Sequence, residues 1–101
     1  MFRWPNFKEV YLYQKPISMR WGSRKLTELT IRDRGCEPVR GEAFLFYNAR
    51  KNELKLFFLD DQGHQEFSKR LPTGGFILPA PEPNDTFVTI PGRLLQSLFR
   101  A

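Results

Sequence analysis

Apolar positions recur along this chain with two periods, and the change of period marks where strands give way to helices. Val10, Tyr11, Leu12 and Tyr13 form an aromatic and β-branched run, preceded by charged Lys8 and Glu9 and followed by Pro16. This predicts a first strand. Beyond Pro16, Ser18 can accept a backbone amide hydrogen bond at a helix start, and Met19, Leu26, Leu29 and Ile31 fall near one helical face. A helix of about four turns is expected there. Gly22 inside the pattern costs about 1 kcal/mol against Ala, so it implies either a late start or close backbone packing. The run from Arg32 to Pro38 carries Gly35 and loses the period, which predicts a loop.

Phe44 to Tyr47 and Leu54 to Leu59 then read as two strands joined through polar Asn48 to Glu53. Asp60, Asp61, Gln62 and Gly63 supply the next turn, and Gln65 to Leu71 alternates as a third strand with Phe67 on the inner side. An antiparallel meander is the economical arrangement. Gly74 to Pro79 suits a short edge strand or an extended segment, and proline-rich Ala80 to Asp85 a loop. Phe87 to Ile90 predicts a last strand, and Pro91 opens a helix whose Leu94, Leu95, Leu98 and Phe99 form a core-facing stripe. The expectation is an α+β fold, with an antiparallel sheet of about five strands, one helix after strand one and one at the C-terminus.

Composition narrows this further. The 101 residues, 41% hydrophobic and 27% charged, suit one domain over residues 1–101 of a soluble folded protein. No apolar run approaches a membrane span, and the N-terminus lacks a signal peptide's apolar stretch, which points to the cytoplasm. Cys36 is the single cysteine, so no internal disulfide forms. Aromatic residues reach 15%, most of them on strands and hence core. Phe57 and Phe58 are adjacent and point to opposite faces, leaving one of them, with Tyr47 or Trp21, for a partner surface or base stacking.

Catalytic chemistry is poorly supported. A two-metal nuclease needs three carboxylates holding two ions about 4 Å apart, and Asp60 and Asp61 read instead as turn residues. His64 follows Gly63 at the same turn without a nucleophile at recognisable spacing, and Cys36 has no evident histidine partner. The chain is expected to be no enzyme, with no metal, cofactor or small-molecule substrate. Binding chemistry is better supported. A net charge of +5 and a pI of about 9.7 attract acidic surfaces. Arg50, Lys51 and Lys55 lie on one predicted hairpin, Lys69 and Arg70 on the neighbouring strand. These could form one basic stripe for phosphates, extended by Arg20, Arg24, Lys25, Arg32 and Arg34. Equally, they could solvate an outer face, with Lys55 and Arg70 paired to Asp60 or Glu53.

Val10, Tyr11, Leu12, Pro16, Met19, Arg20 and Gly22, then Phe46, Asn48, Arg50, Lys51, Leu54, Lys55, Leu56, Asp60 and Gly63 follow a familiar order. With Lys69, Arg70, Leu71, Gly74, Phe76 and Pro79, this pattern resembles the TnpB accessory family of insertion sequence sixty-six elements, from about Val10 to Leu98. Ser18 stands where the family usually has Asp, Trp21 where it has a basic residue, and Arg24 with Lys25 where it has an acidic-small pair. The resemblance implies a protein that accompanies a separate, larger transposase and serves the element's movement. The expected function is thus a non-catalytic accessory role in DNA transposition, binding element-end DNA through Arg20, Arg24, Arg50, Lys51, Lys55, Lys69 and Arg70. The alternative is an adaptor for the transposase of the same element.

Overall fold

A computed structural model describes residues 6–83 and 85–100. The elements run β1 (Glu9–Tyr13), α1 (Ser23–Arg34), β2 (Glu42–Tyr47), β3 (Glu53–Asp60), β4 (Gly63–Arg70), β5 (Phe87–Ile90) and α2 (Gly92–Phe99). The α+β expectation holds, with one helix after strand one and one at the C-terminus. The sheet is mixed, in the order β4-β3-β2-β1-β5. β2, β3 and β4 form the expected antiparallel meander, whereas β1 pairs parallel to β2, with Val10 opposite Ala43 and Leu12 opposite Leu45. The intervening chain holds α1, which is the crossover a parallel pair requires. β5 closes the far edge antiparallel to β1.

Each face of the sheet carries its own core. On one, α1 brings Leu26 and Leu29 over Tyr13, Ile17, Phe44, Phe46 and Phe57. On the other, α2 and the extended segment after β4 place Leu95, Leu94, Leu98, Phe76 and Leu78 against Val10, Leu12, Leu45, Leu54, Leu56 and Phe58. Because both faces are covered, β2 reads as an unbroken apolar run from Ala43 to Tyr47, and β3 as one interrupted by the buried Lys55. Phe57, Phe58 and Tyr47 are therefore all buried, and none of them is left for a partner. Trp21 is half-buried, with Lys25 Nζ over its ring at 5.2 Å.

Of the two readings of Gly22, the late helix start is the observed one. Gly22 is the N-cap of α1, and no side chain caps the helix. Ser18 forms a turn before it instead, its Oγ accepting the Arg20 N–H at 3.2 Å. At the other end Gly35 ends the helix in the left-handed conformation (φ 93°), a role glycine fills without strain. Gly74 to Pro79 forms no strand; it leaves a bend at Gly74 (φ 76°) and packs Phe76 and Leu78 against the sheet.

Candidate nucleic-acid interface

The connection from β2 to β3 turns over Asn48 to Asn52, and one side chain organises it. Asn48 Oδ1 accepts the backbone N–H of Asn52 at 3.1 Å and of Glu53 at 3.0 Å, while its Nδ2 donates to Asn52 Oδ1 at 2.7 Å. The Lys51 N–H donates to the Asn48 carbonyl at 2.9 Å, and Lys51 takes a left-handed conformation with φ 57°. The segment after β4 braces this turn from outside: Leu71 N–H donates to the Asn52 carbonyl at 2.8 Å, and Phe76 N–H to that of Lys51 at 2.7 Å. Gly75 lies so close that a Cβ there would stand 3.1 Å from the Lys51 oxygen. Arg50 and Lys51 are thus carried on a rigid support, as residues between Asn48 and Phe76 satisfy one another's backbone groups.

Two open clefts adjoin at this end of the sheet. The larger, about 530 Å³, is bordered by Ser18, Arg20, Asn48, Arg50, Glu53 and Arg70. The second, about 460 Å³, lies between Arg50, Asn52, Arg70, Leu71 and Pro72. Arg50 and Arg70 therefore stand on both. Arg20 arrives from the loop before α1, which is tied to the sheet by the Ile17 N–H donating to the Tyr47 carbonyl at 2.9 Å. The Arg20 and Arg50 guanidiniums are exposed, with no hydrogen-bond or ion-pair partner among the described residues. Arg70 reaches Glu53 only at 3.9 Å.

The remaining basic residues divide differently from the expected stripe. Lys55 is buried, its Nζ donating to the carbonyls of Met19 at 2.9 Å and Trp21 at 2.8 Å, with Glu66 at 3.4 Å. It fastens the loop bearing Arg20 to the sheet and offers nothing to a phosphate; its partner is neither Asp60 nor Glu53. Lys69 lies on the opposite face from Arg70, as neighbours on a strand must. Its Nζ donates to the Leu98 carbonyl at 3.2 Å and the Arg100 carbonyl at 2.5 Å, which anchors the end of α2. Arg24 is exposed on α1 and pairs with Glu28 at 3.8 Å.

Arg32 and Arg34 are likewise engaged at home. Arg34 meets Glu42 at 2.6 Å and lies over the rings of Tyr11 and Phe44, at 5.3 and 4.9 Å, joining the end of α1 to β2. Arg32 donates to Asp33 at 2.8 Å, and Tyr13 Oη donates to the same carboxylate at 2.7 Å. The hydrogen bond from Arg32 holds Asp33 below its ordinary value. Burial, with the Asp33 bond, pushes the Tyr13 hydroxyl up to about 12.

The carboxylates have local work. Asp60 Oδ1 accepts the Gln62 N–H at 2.8 Å within the turn, and Asp61 pairs with Arg40 at 2.6 Å. His64 lies beside Phe57 in a tilted ring contact with centroids 5.3 Å apart, and Cys36 is exposed. Among the described residues no three His, Cys, Asp or Glu side chains gather as a metal site, and no helix is long and apolar enough to cross a membrane.

The signal that the residue-type reading underused was Asn48 with Gly75 and Phe76. Asn48 and Phe76 are motif residues without a stated task, Gly75 lies outside the quoted motif, and the three hold the turn that carries Arg50. No curated protein and no solved structure matches the chain. The family model described as IS66 Orf2 like protein matches residues 8–101, a span that includes β1, the braced turn, both clefts and α2. The chain therefore belongs to the IS66 Orf2-like family, whose place is as an accessory to insertion-sequence transposition.

Proposed function

We propose that this accessory protein binds DNA without catalysing its cleavage, using the arginine-bearing end of the sheet. The observation that carries the reading is the pair of exposed guanidiniums, Arg20 and Arg50, that have no partner among the described residues and lie beside the loosely paired Arg70. An exposed ion pair is worth under about 1 kcal/mol, so folding gains little from such arginines. Phosphates, by contrast, accept bidentate hydrogen bonds from the guanidinium fork. The direct test is fluorescence anisotropy with element-end and scrambled DNA at low and moderate salt. Binding that weakens steeply with salt supports the reading, preference for the ends adds specificity, and no binding at low salt sinks it.

One observation favours a second reading, that of an adaptor for the element's transposase. Ile77 is 90% exposed on the Gly74–Pro79 segment after β4, a position suited to insertion into a partner's apolar pocket. Co-purification with the transposase that is lost on Ile77→Asp supports this; capture unaffected by the change removes it.

A further inference from the structure

We propose that Arg50 and Arg70 bind successive phosphates of a single nucleic-acid strand, one phosphate in each of the two clefts that these arginines divide. The inference rests on the DNA-binding reading above and adds the ligand's geometry to it. A guanidinium carries donors along more than one edge, so one arginine can serve anions on both of its sides. Arg50 and Arg70 each border both clefts, and Arg20 closes only the larger one. Two cations shared between two adjoining open clefts match a repeating monoanion, which a polynucleotide backbone is and an acidic protein surface is not.

The support is prepared in advance. The turn bearing Arg50 is closed by the Asn48 side chain and braced by Leu71 and Phe76, so little backbone order remains to be imposed on binding. Arg70 is positioned by β4 and leans on Glu53 at 3.9 Å. Glu53 also borders the larger cleft, where its carboxylate opposes an incoming phosphate. It holds Arg70 in place before the ligand arrives and competes with it afterwards. Asn48 and Gly75 are positioning residues in this scheme, and neither need touch the strand.

The test uses the full chain and mixed-sequence DNA, single-stranded and duplex, in anisotropy titrations across salt. Arg50→Gln and Arg70→Gln are each expected to weaken binding about tenfold and to lower the salt slope by about one, for both forms of DNA. Arg93→Gln, an exposed change on α2, leaves affinity and slope nearly as they were. Glu53→Gln tightens binding severalfold at low salt. An abasic strand binds like a normal one, since phosphates alone are gripped.

If the native chain binds no DNA at all, the DNA-binding reading falls and the inference with it. If it binds, but Arg50→Gln and Arg70→Gln keep the native slope or Arg93→Gln loses as much, the attraction is diffuse and the inference alone is overturned. Dependence on both arginines with duplex but not with single strands places the two phosphates on different strands and also overturns it. DNA binding retained by both variants, with capture of the transposase lost, assigns the arginines to a protein partner and overturns it as well.

Discussion

Lys55 and Arg50 leave the same hairpin, and their surroundings give them opposite energetic roles. Lys55 is buried with two carbonyls and Glu66 around its ammonium, so Lys55→Met strands those acceptors. A loss of about 2–3 kcal/mol in urea denaturation is expected, with Arg50→Gln staying within about 0.5 kcal/mol of native. Equal losses in the two variants would show that Lys55 is not the fastener its contacts imply. Tyr13 offers a second test, through pH. Its hydroxyl is pushed up to about 12 from an ordinary 10, so the fold holds that proton more firmly than the open chain does. The resulting stability is fully present below pH 10 and fades as the pH rises toward 12. Tyr13→Phe should therefore cost about 1–2 kcal/mol at neutral pH, and its stability curve should be flatter than native across the alkaline range. A parallel decline in both proteins would assign the alkaline loss to another group. Strand alternation already placed Lys55 on the face of Phe57, but not what would cover that face. The covering loop comes from Met19 and Trp21, which only the crossover through α1 brings back over the sheet.

At the scale of elements, α1 begins badly. Gly22 supplies no cap, and the first turn carries Arg24 and Lys25 with no acidic residue, against the preference of the helix dipole. Gly22 has an extended backbone (φ −95°), and a Cβ there would stand 3.8 Å from a Glu66 oxygen, an ordinary contact. Gly22→Ser should thus add a few tenths of a kcal/mol and raise Tm by about 1–3 °C. A lower Tm would mean that the glycine is needed for packing. Gly75→Ala works the other way: its Cβ presses on the Lys51 carbonyl, so the turn must yield. We expect a loss of about 1 kcal/mol together with weaker DNA binding, while an unchanged affinity would separate the brace from the site. Every strand and both helices were legible from periodicity and turn chemistry. The parallel pairing of β1 with β2 was not, because a run such as Val10 to Tyr13 pairs equally well in either sense and only a long connection containing a helix decides. Of the basic residues picked out by charge, Arg20, Arg50 and Arg70 border one cleft, whereas Lys51 lines a separate pocket with Leu12, Tyr47 and Leu78. Lys55 and Lys69 were misplaced because the strand's two faces are both covered, which turns neighbouring cations toward interior carbonyls.

For the molecule as a whole, the net charge of +5 says less than where that charge is neutralised. Arg32, Arg34, Arg40 and Lys55 each meet an acidic partner, at distances from 2.6 to 3.4 Å. Among the described residues Arg20 and Arg50 meet none, and Arg70 barely does, so like charges converge on one pair of clefts. Such crowding repels in the folded state and is relieved in the extended chain, and salt screens it over about 10 Å at 0.1 M. The native protein should therefore melt at a higher temperature as salt is raised from low to moderate concentration. The triple variant Arg20→Gln, Arg50→Gln, Arg70→Gln should start from a higher Tm at low salt and gain less from added salt, even as its affinity for DNA collapses. A charge-matched triple at Lys8, Lys15 and Arg93, all exposed but not gathered around these clefts, should keep most of the native response. Identical melting behaviour in the two triples would place the effect in net charge alone. A lower Tm in the first triple would show that the arginines stabilise the fold, which would remove the reason to look for an external partner.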